Sequence, residues 1–310
     1  MRIGILVVHG MGVQSEQEFA REFVAEMRRR LGAHGVTDAD VEYGTGYWAD
    51  LLNRREHDLL TQMRAGGPLA YPRLRGFVVE ALGDAVAYRR GTADGENFYY
   101  HLHARIRDRL AALRARLGGV DAPLVVVAHS LGSVIMSDYA WDAQHPETGR
   151  AQGADAFERL ETLAGLVTVG SNIPLFTLAL PRVIAIAPPR VSPALPDAVR
   201  AVARWENYYD PDDVLGWPLK TLAPGGPLAA DEFAYTDAVD ADHAIEVGSA
   251  LTGWNPLSHT GYWSDHAFLA PVAAQIAAVA RAARDAPAPA ASGVSPARRR
   301  TAARRARRRR

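Results

Sequence analysis

Residues 122–136, APLVVVAHSLGSVIM, decide how the rest of the chain is read. Leu124 to Val127 are apolar and mostly β-branched, the composition of a strand buried on both faces. Leu131 to Trp141 then carry the apolar spacing of a helix. Ser130 stands at the junction, and a serine there has two readings. It caps the helix N-terminus, or a sharp strand-to-helix turn lifts its hydroxyl clear of the sheet and makes it a nucleophile. Such a turn needs small neighbours, because strand and helix backbones approach closely. Ala128 and Gly132 meet that need, Ala128 with one methyl more than the Gly-x-Ser-x-Gly pattern.

Outward from this stretch, apolar strands alternate with amphipathic helices. RIGILVV ends in the turn HGMG, and Ser15 with Glu18 has the capping-box pattern. Phe19, Phe23, Val24, Met27 and Leu31 give a helix that ends at Gly32 to Gly35. VEYGTGYW reads as a second strand. Residues 54–64, 76–90 and 98–117 read as three helices. Further strands are predicted at 163–171, 202–209 and 243–248, and a last helix at about 265–283. The expected class is α/β, with a mostly parallel central sheet and helices on both faces. In such sheets the chemistry gathers at the carboxyl ends of the strands.

VVVAHSLGSVI resembles the nucleophile elbow of the α/β-hydrolase superfamily, in particular its lipase and esterase branches. VVHGMG resembles their oxyanion loop. The resemblance spans roughly residues 2–283, with 40–118 matched only in architecture, and implies one α/β-hydrolase domain over 1–285 with a helical insertion at about 50–118. It implies a serine hydrolase acting on carboxylic esters through an acyl-enzyme on Ser130, with the backbone N–H groups of Met11 and Leu131 as oxyanion hole. His9 would shape the loop. Neither a cofactor nor a metal is implied.

The superfamily order is Ser, then Asp or Glu, then His. WENYYDPDDVLGWP offers Asp210, Asp212 and Asp213 after a strand. YYDPDDVLGWP resembles lipase-like segments in which Asp213 would orient the histidine, and Asp210, first after the strand, is the second choice. In NPLSHTGYWSDHAF two histidines compete. His259 lies in the loop after the last strand, and SHTGYW resembles the histidine loop of lipase-like relatives, with Tyr262 and Trp263 packing it down. His266, in the first turn of the final helix, is the second choice. DADH (240–243) has metal-site residue types but no second cluster, and reads as a hairpin or strand-entry turn. His101 and His103 point to opposite sides of a helix. GTADGEN and GGPLAAD lack the lysine and strand context of a phosphate loop.

Composition bounds the rest. There are no cysteines, so disulfides and thiolate metal sites are excluded. No stretch reaches the ~18 apolar residues of a membrane span, and RIGILVV is too short for a signal-peptide core, so a cytoplasmic location is expected. The net charge of zero hides an asymmetry. Residues 298–310 carry nine arginines, which leaves 26 basic against 35 acidic residues elsewhere. The Pro/Ala/Arg-rich segment 286–310 has no apolar periodicity and is expected to be disordered. Its charge suits weak contact with nucleic acid or an anionic surface, although a solvated appendage to the acidic body is the simpler reading. The apolar run SNIPLFTLALPRVIAIAPP (171–189) is expected either to wall an acyl site, suiting an ester or lipid-like substrate, or to be core. Two other functions fit the same residues: a non-catalytic scaffold with this fold, and an acyltransferase or thioesterase using the same triad.

Overall fold

The computed structural model describes residues 1–10, 16–67, 70–88, 97–247 and 258–286. Among them six strands pair into one all-parallel sheet of order β2-β1-β3-β4-β5-β6. The strands are β1 (Ile3–Val8), β2 (Val41–Thr45), β3 (Leu124–His129), β4 (Leu163–Val169), β5 (Arg204–Tyr209) and β6 (Ala241–Ala244). The helices are α1 (Glu16–Ala33), α2 (Asp50–Ala65), α3 (Pro72–Ala87), α4 (Phe98–Leu117), α5 (Leu131–Gln144), α6 (Ile173–Thr177), α7 (Asp197–Val202), α8 (Tyr235–Ala238), α9 (Ser258–Gly261) and α10 (His266–Asp285). The protein therefore has an α/β fold with a parallel sheet.

Strands β1, β3 and β4 are buried at every position, which is why their sequences run apolar without alternation. Their side chains still alternate between two layers. Leu6, Val8, Val126 and Ala128 meet α4 and α5, whereas Ile5, Val7, Val125 and Val127 meet α1 and α10. Each large aliphatic side chain so buried contributes about 1.5–3 kcal/mol. Helix α10 is long and apolar enough to cross a membrane by length and composition. Phe268, Val272, Ile276 and Val279 on it are buried in the core.

The segment expected as a helical insertion holds α2, α3 and α4. Of these, α4 lies against β1 and β2, and α2 and α3 pack on each other. Two sequence expectations at this edge are corrected, the first being the strand predicted at 243–248, which lies at Ala241–Ala244. DADH is not a hairpin or a strand-entry turn, because Ala241–Ala244 is the edge strand β6, in parallel register with β5. Its polar residues are satisfied across the edge. Asp242 accepts from Asn207 Nδ2 and from the N–H groups of Leu219 and Lys220, and His243 bonds Glu206. The Ser15–Glu18 capping box and most of the basic tail lie outside the described residues.

The strand order places the site. The chain leaves β1 for β2 on one side and returns to lay β3 on the other. The helices after β1 and β3 pack on opposite faces of the sheet, so the carboxyl ends of these two strands form the switch point at which α/β sheets place their chemistry. Gly10 and Ser130 sit there.

Candidate active site

Ser130 takes φ 54° and ψ −127° at the end of β3. Positive φ is costly for a residue with a Cβ, and it persists here because the surroundings fix it. The Ser130 N–H donates to Val169 O at 3.0 Å, holding the turn against β4. The side chain makes no capping bond to α5, so the helix-cap reading of this serine does not describe the structure. Close approach explains the small neighbours. A Cβ on Gly132 would lie 2.6 Å from His9 O, and one on Gly10 would lie 2.5 Å from Ser130 Cβ.

The turn aims Ser130 Oγ at His259, whose Nε2 is 2.7 Å away. His259 Nδ1 lies 2.8 Å from Asp213 Oδ2. A carboxylate accepts, so Nδ1 carries the proton and Nε2 presents a lone pair to the hydroxyl, the tautomer a general base requires. All three side chains are buried. Asp213 Oδ1 accepts from the Leu215 N–H at 3.0 Å, and Asp213 Oδ2 also accepts from Tyr262 Oη–H at 2.8 Å. Burial opposes the charge on Asp213, but hydrogen bonds from His259, Leu215 and Tyr262 outweigh it and hold its carboxyl below the ordinary range. Room for this carboxylate comes from Gly216, where a Cβ would lie 2.6 Å from Oδ2.

The second-choice residues go elsewhere. Asp210 turns away from the imidazole, and its oxygens accept from the N–H groups of Asp212 and Val247, both at 2.8 Å. It therefore ties the acid's turn to the end of the chain after β6. His266 is exposed at the start of α10, where Nδ1 meets Arg30 at 2.8 Å. Neither meets Ser130. Leu131 opens α5, so its N–H belongs to the first turn, whose amides lack intrahelical acceptors. Met11 lies outside the described residues. No protein-family model matches the chain, and no curated protein matches it.

Around this core, His9 is stacked on Trp48 with ring centroids 5.0 Å apart. The Trp48 N–H donates to His9 Nε2 at 3.2 Å, so Nδ1 holds the proton and donates to Gly10 O at 2.5 Å. This bond closes the turn after β1. Ser133 Oγ donates to Ser130 O at 2.5 Å and lies 2.8 Å from Ser171 Oγ, which knits the elbow to the segment after β4. Among the described residues, no group of three or more His, Asp or Glu side chains converges as a metal site would. Sequence reasoning gave Tyr262 only a packing role. Its hydroxyl in fact bridges the Asp210 N–H (2.9 Å) and Asp213. The nearest signal was its place three residues after His259 in a loop that has to meet the acid.

Proposed function

We propose that this chain is a serine hydrolase of carboxylic esters, lipase- or esterase-like, on an α/β-hydrolase fold. One observation carries the proposal: the unbroken chain from Ser130 Oγ through the His259 imidazole to Asp213, standing on a strained turn at the switch point of a parallel sheet. Ser130 Oγ attacks the ester carbonyl carbon while its proton passes to His259 Nε2. The new imidazolium is stabilised by Asp213 across Nδ1–H. The oxyanion is met by the Leu131 N–H at the start of α5, with Met11 as the partner implied by the resemblance. The C–O bond breaks as His259 returns the proton to the alcohol. Water, deprotonated by the same nitrogen, then cleaves the acyl-enzyme.

The substrate reading rests on the segments flanking the triad. Leu175 and Leu178 follow Ser171, while Val214 and Trp217 follow Asp213, and all four side chains are exposed. The Trp217 N–H donates to Ser171 O at 3.0 Å, so the two apolar segments are joined beside the elbow. An apolar acyl chain suits that rim. Acyl transfer to an alcohol and thioester cleavage share the first half-reaction and are separated by assay.

The test pairs a fluorophosphonate probe with a series of p-nitrophenyl esters. The wild type is expected to be labelled and Ser130→Ala to be silent, with hydrolysis reduced by about 10³-fold or more. Butyrate and longer esters are expected to react faster than acetate. A folded wild type that resists the probe overturns the enzyme reading in favour of a scaffold. Acetate as the best substrate overturns the apolar acyl site alone.

A further inference from the structure

His129 directly precedes the nucleophile, is buried, and takes no part in the proton path just described. Its Nε2 lies 2.7 Å from the main-chain carbonyl oxygen of His259. A carbonyl only accepts, so Nε2 carries the proton in this bond. Nδ1 faces the turn after β1, where a Cβ on Gly10 would lie 3.1 Å from it. The ring also stands 4.8 Å from the His259 ring and meets Trp263 edge-on at 5.5 Å. One side chain on the nucleophile's own strand thus touches the glycine turn and the loop that bears the base.

We propose that His129 is a positioning residue that fixes the main chain of His259 and so sets the imidazole over Ser130. The proposal rests on the reading of Ser130 and His259 as nucleophile and base. Its physical basis is the difference between bonds that turn over and bonds that persist. When Ser130 is acylated, Oγ no longer has a proton to donate and its bond to His259 Nε2 is lost. The bond from His129 to the His259 carbonyl involves no reacting atom and survives every step. It therefore keeps the base in place while water attacks the acyl-enzyme. A displacement of ~1 Å at such a group costs about 10²-fold in rate.

Two variants test this. His129→Phe keeps a buried ring and removes the donor, whereas His129→Gln keeps an N–H that reaches the same carbonyl. The expected result is a kcat about 10–100-fold lower in His129→Phe with KM within about threefold. A burst of p-nitrophenol is expected to precede the slow steady state. His129→Gln is expected to recover most of kcat. The melting temperature of both variants separates this from general loosening, because only kcat should distinguish Phe from Gln. A second readout does not depend on esterase activity: the NMR resonance of the His259 Nδ1 proton, expected to shift or broaden in His129→Phe and to persist in His129→Gln. If the wild type proves inactive but this resonance behaves as stated, the hydrolase reading fails and the tether stands. An unchanged resonance in His129→Phe, or equal loss of kcat in both variants in step with melting temperature, overturns the tether.

Discussion

Asp210 and Asp213 share one turn and have different duties. Asp213 faces an imidazole nitrogen, while Asp210 satisfies two main-chain amides. Substituting them should therefore have different effects. On the proposed hydrolase reading, Asp213→Asn removes the charge that would oppose the imidazolium, and kcat for ester hydrolysis is expected to fall by about 10²–10⁴-fold, with folding retained. Asp210→Ala leaves two amide donors without their acceptor, at about 1–3 kcal/mol each where buried. Its melting temperature should drop by several degrees, at about 2–4 °C per kcal/mol, with kcat kept within about tenfold. Kinetics and thermal melts on the two variants check this, and a reversal would move the acid to Asp210. The sequence placed three acids after a strand, with Asp213 favoured by resemblance and Asp210 second by its position. It could not show which carboxylate the backbone would consume, because that depends on where Val247 and Tyr262 arrive.

At the scale of elements, the strand–turn–helix around Ser130 was legible. An apolar β-branched run, two small residues and a helical pattern leave few other ways to fold locally. What the pattern could not show was the partner of each close approach. Gly132 is constrained by the carbonyls of Val8 and His9 in another strand and its turn, and these are backbone atoms that cannot swing aside. Gly132→Ala is thus expected to cost about 2 kcal/mol or more and to lower the ester rate by about 10–100-fold. Gly76→Ala in α3, where a Cβ would meet nothing within 4 Å, should instead be neutral or stabilising by up to about 1 kcal/mol. Denaturant melts and initial rates on the pair provide the check. The helices between β2 and β3 were legible one by one. Their packing was not, since helical periodicity marks a buried face without saying what covers it. β6 was misread because Asp242 and His243 look like turn residues until the strand beside them supplies partners.

Across the whole molecule, the strand order could not be read from the sequence, yet it brings Gly10, Ser130 and the histidine loop together. Burying His129 between these pieces also gives the fold a pH dependence. Burial, and then the neighbouring His259, push the His129 imidazole down to about 3. Between the ordinary histidine value of about 6.5 and that value, the unfolded chain takes up a proton that the folded chain refuses. Stability therefore falls as pH drops through this window. Asp213 acts in the same direction. Its lowered carboxyl stabilises the fold above the ordinary aspartate range, and that stabilisation disappears as pH falls through the folded value. The wild-type melting temperature should decline from pH 7 to pH 4, and that of His129→Gln should decline less steeply, since a loss of a few kcal/mol of unfolding free energy over the window is absent from it. Parallel slopes in melts taken at each pH would remove His129 from the account.

Ser130 and His259 are separated by 129 residues, and Asp213 stands 46 before the histidine. Contacts so distant in the chain form late, because each requires a long loop to close first. On the proposed hydrolase reading, the serine is expected to stay unreactive until strands β1, β3, β4 and β5 are assembled and the segment bearing His259 has docked on them. On that reading, labelling of Ser130 would mark the end of folding. In refolding from denaturant, trapping by a fluorophosphonate should lag behind the fluorescence of Trp48 and Trp205, both fully buried in the core. Simultaneous recovery of the two signals would mean that the loop closes together with the core.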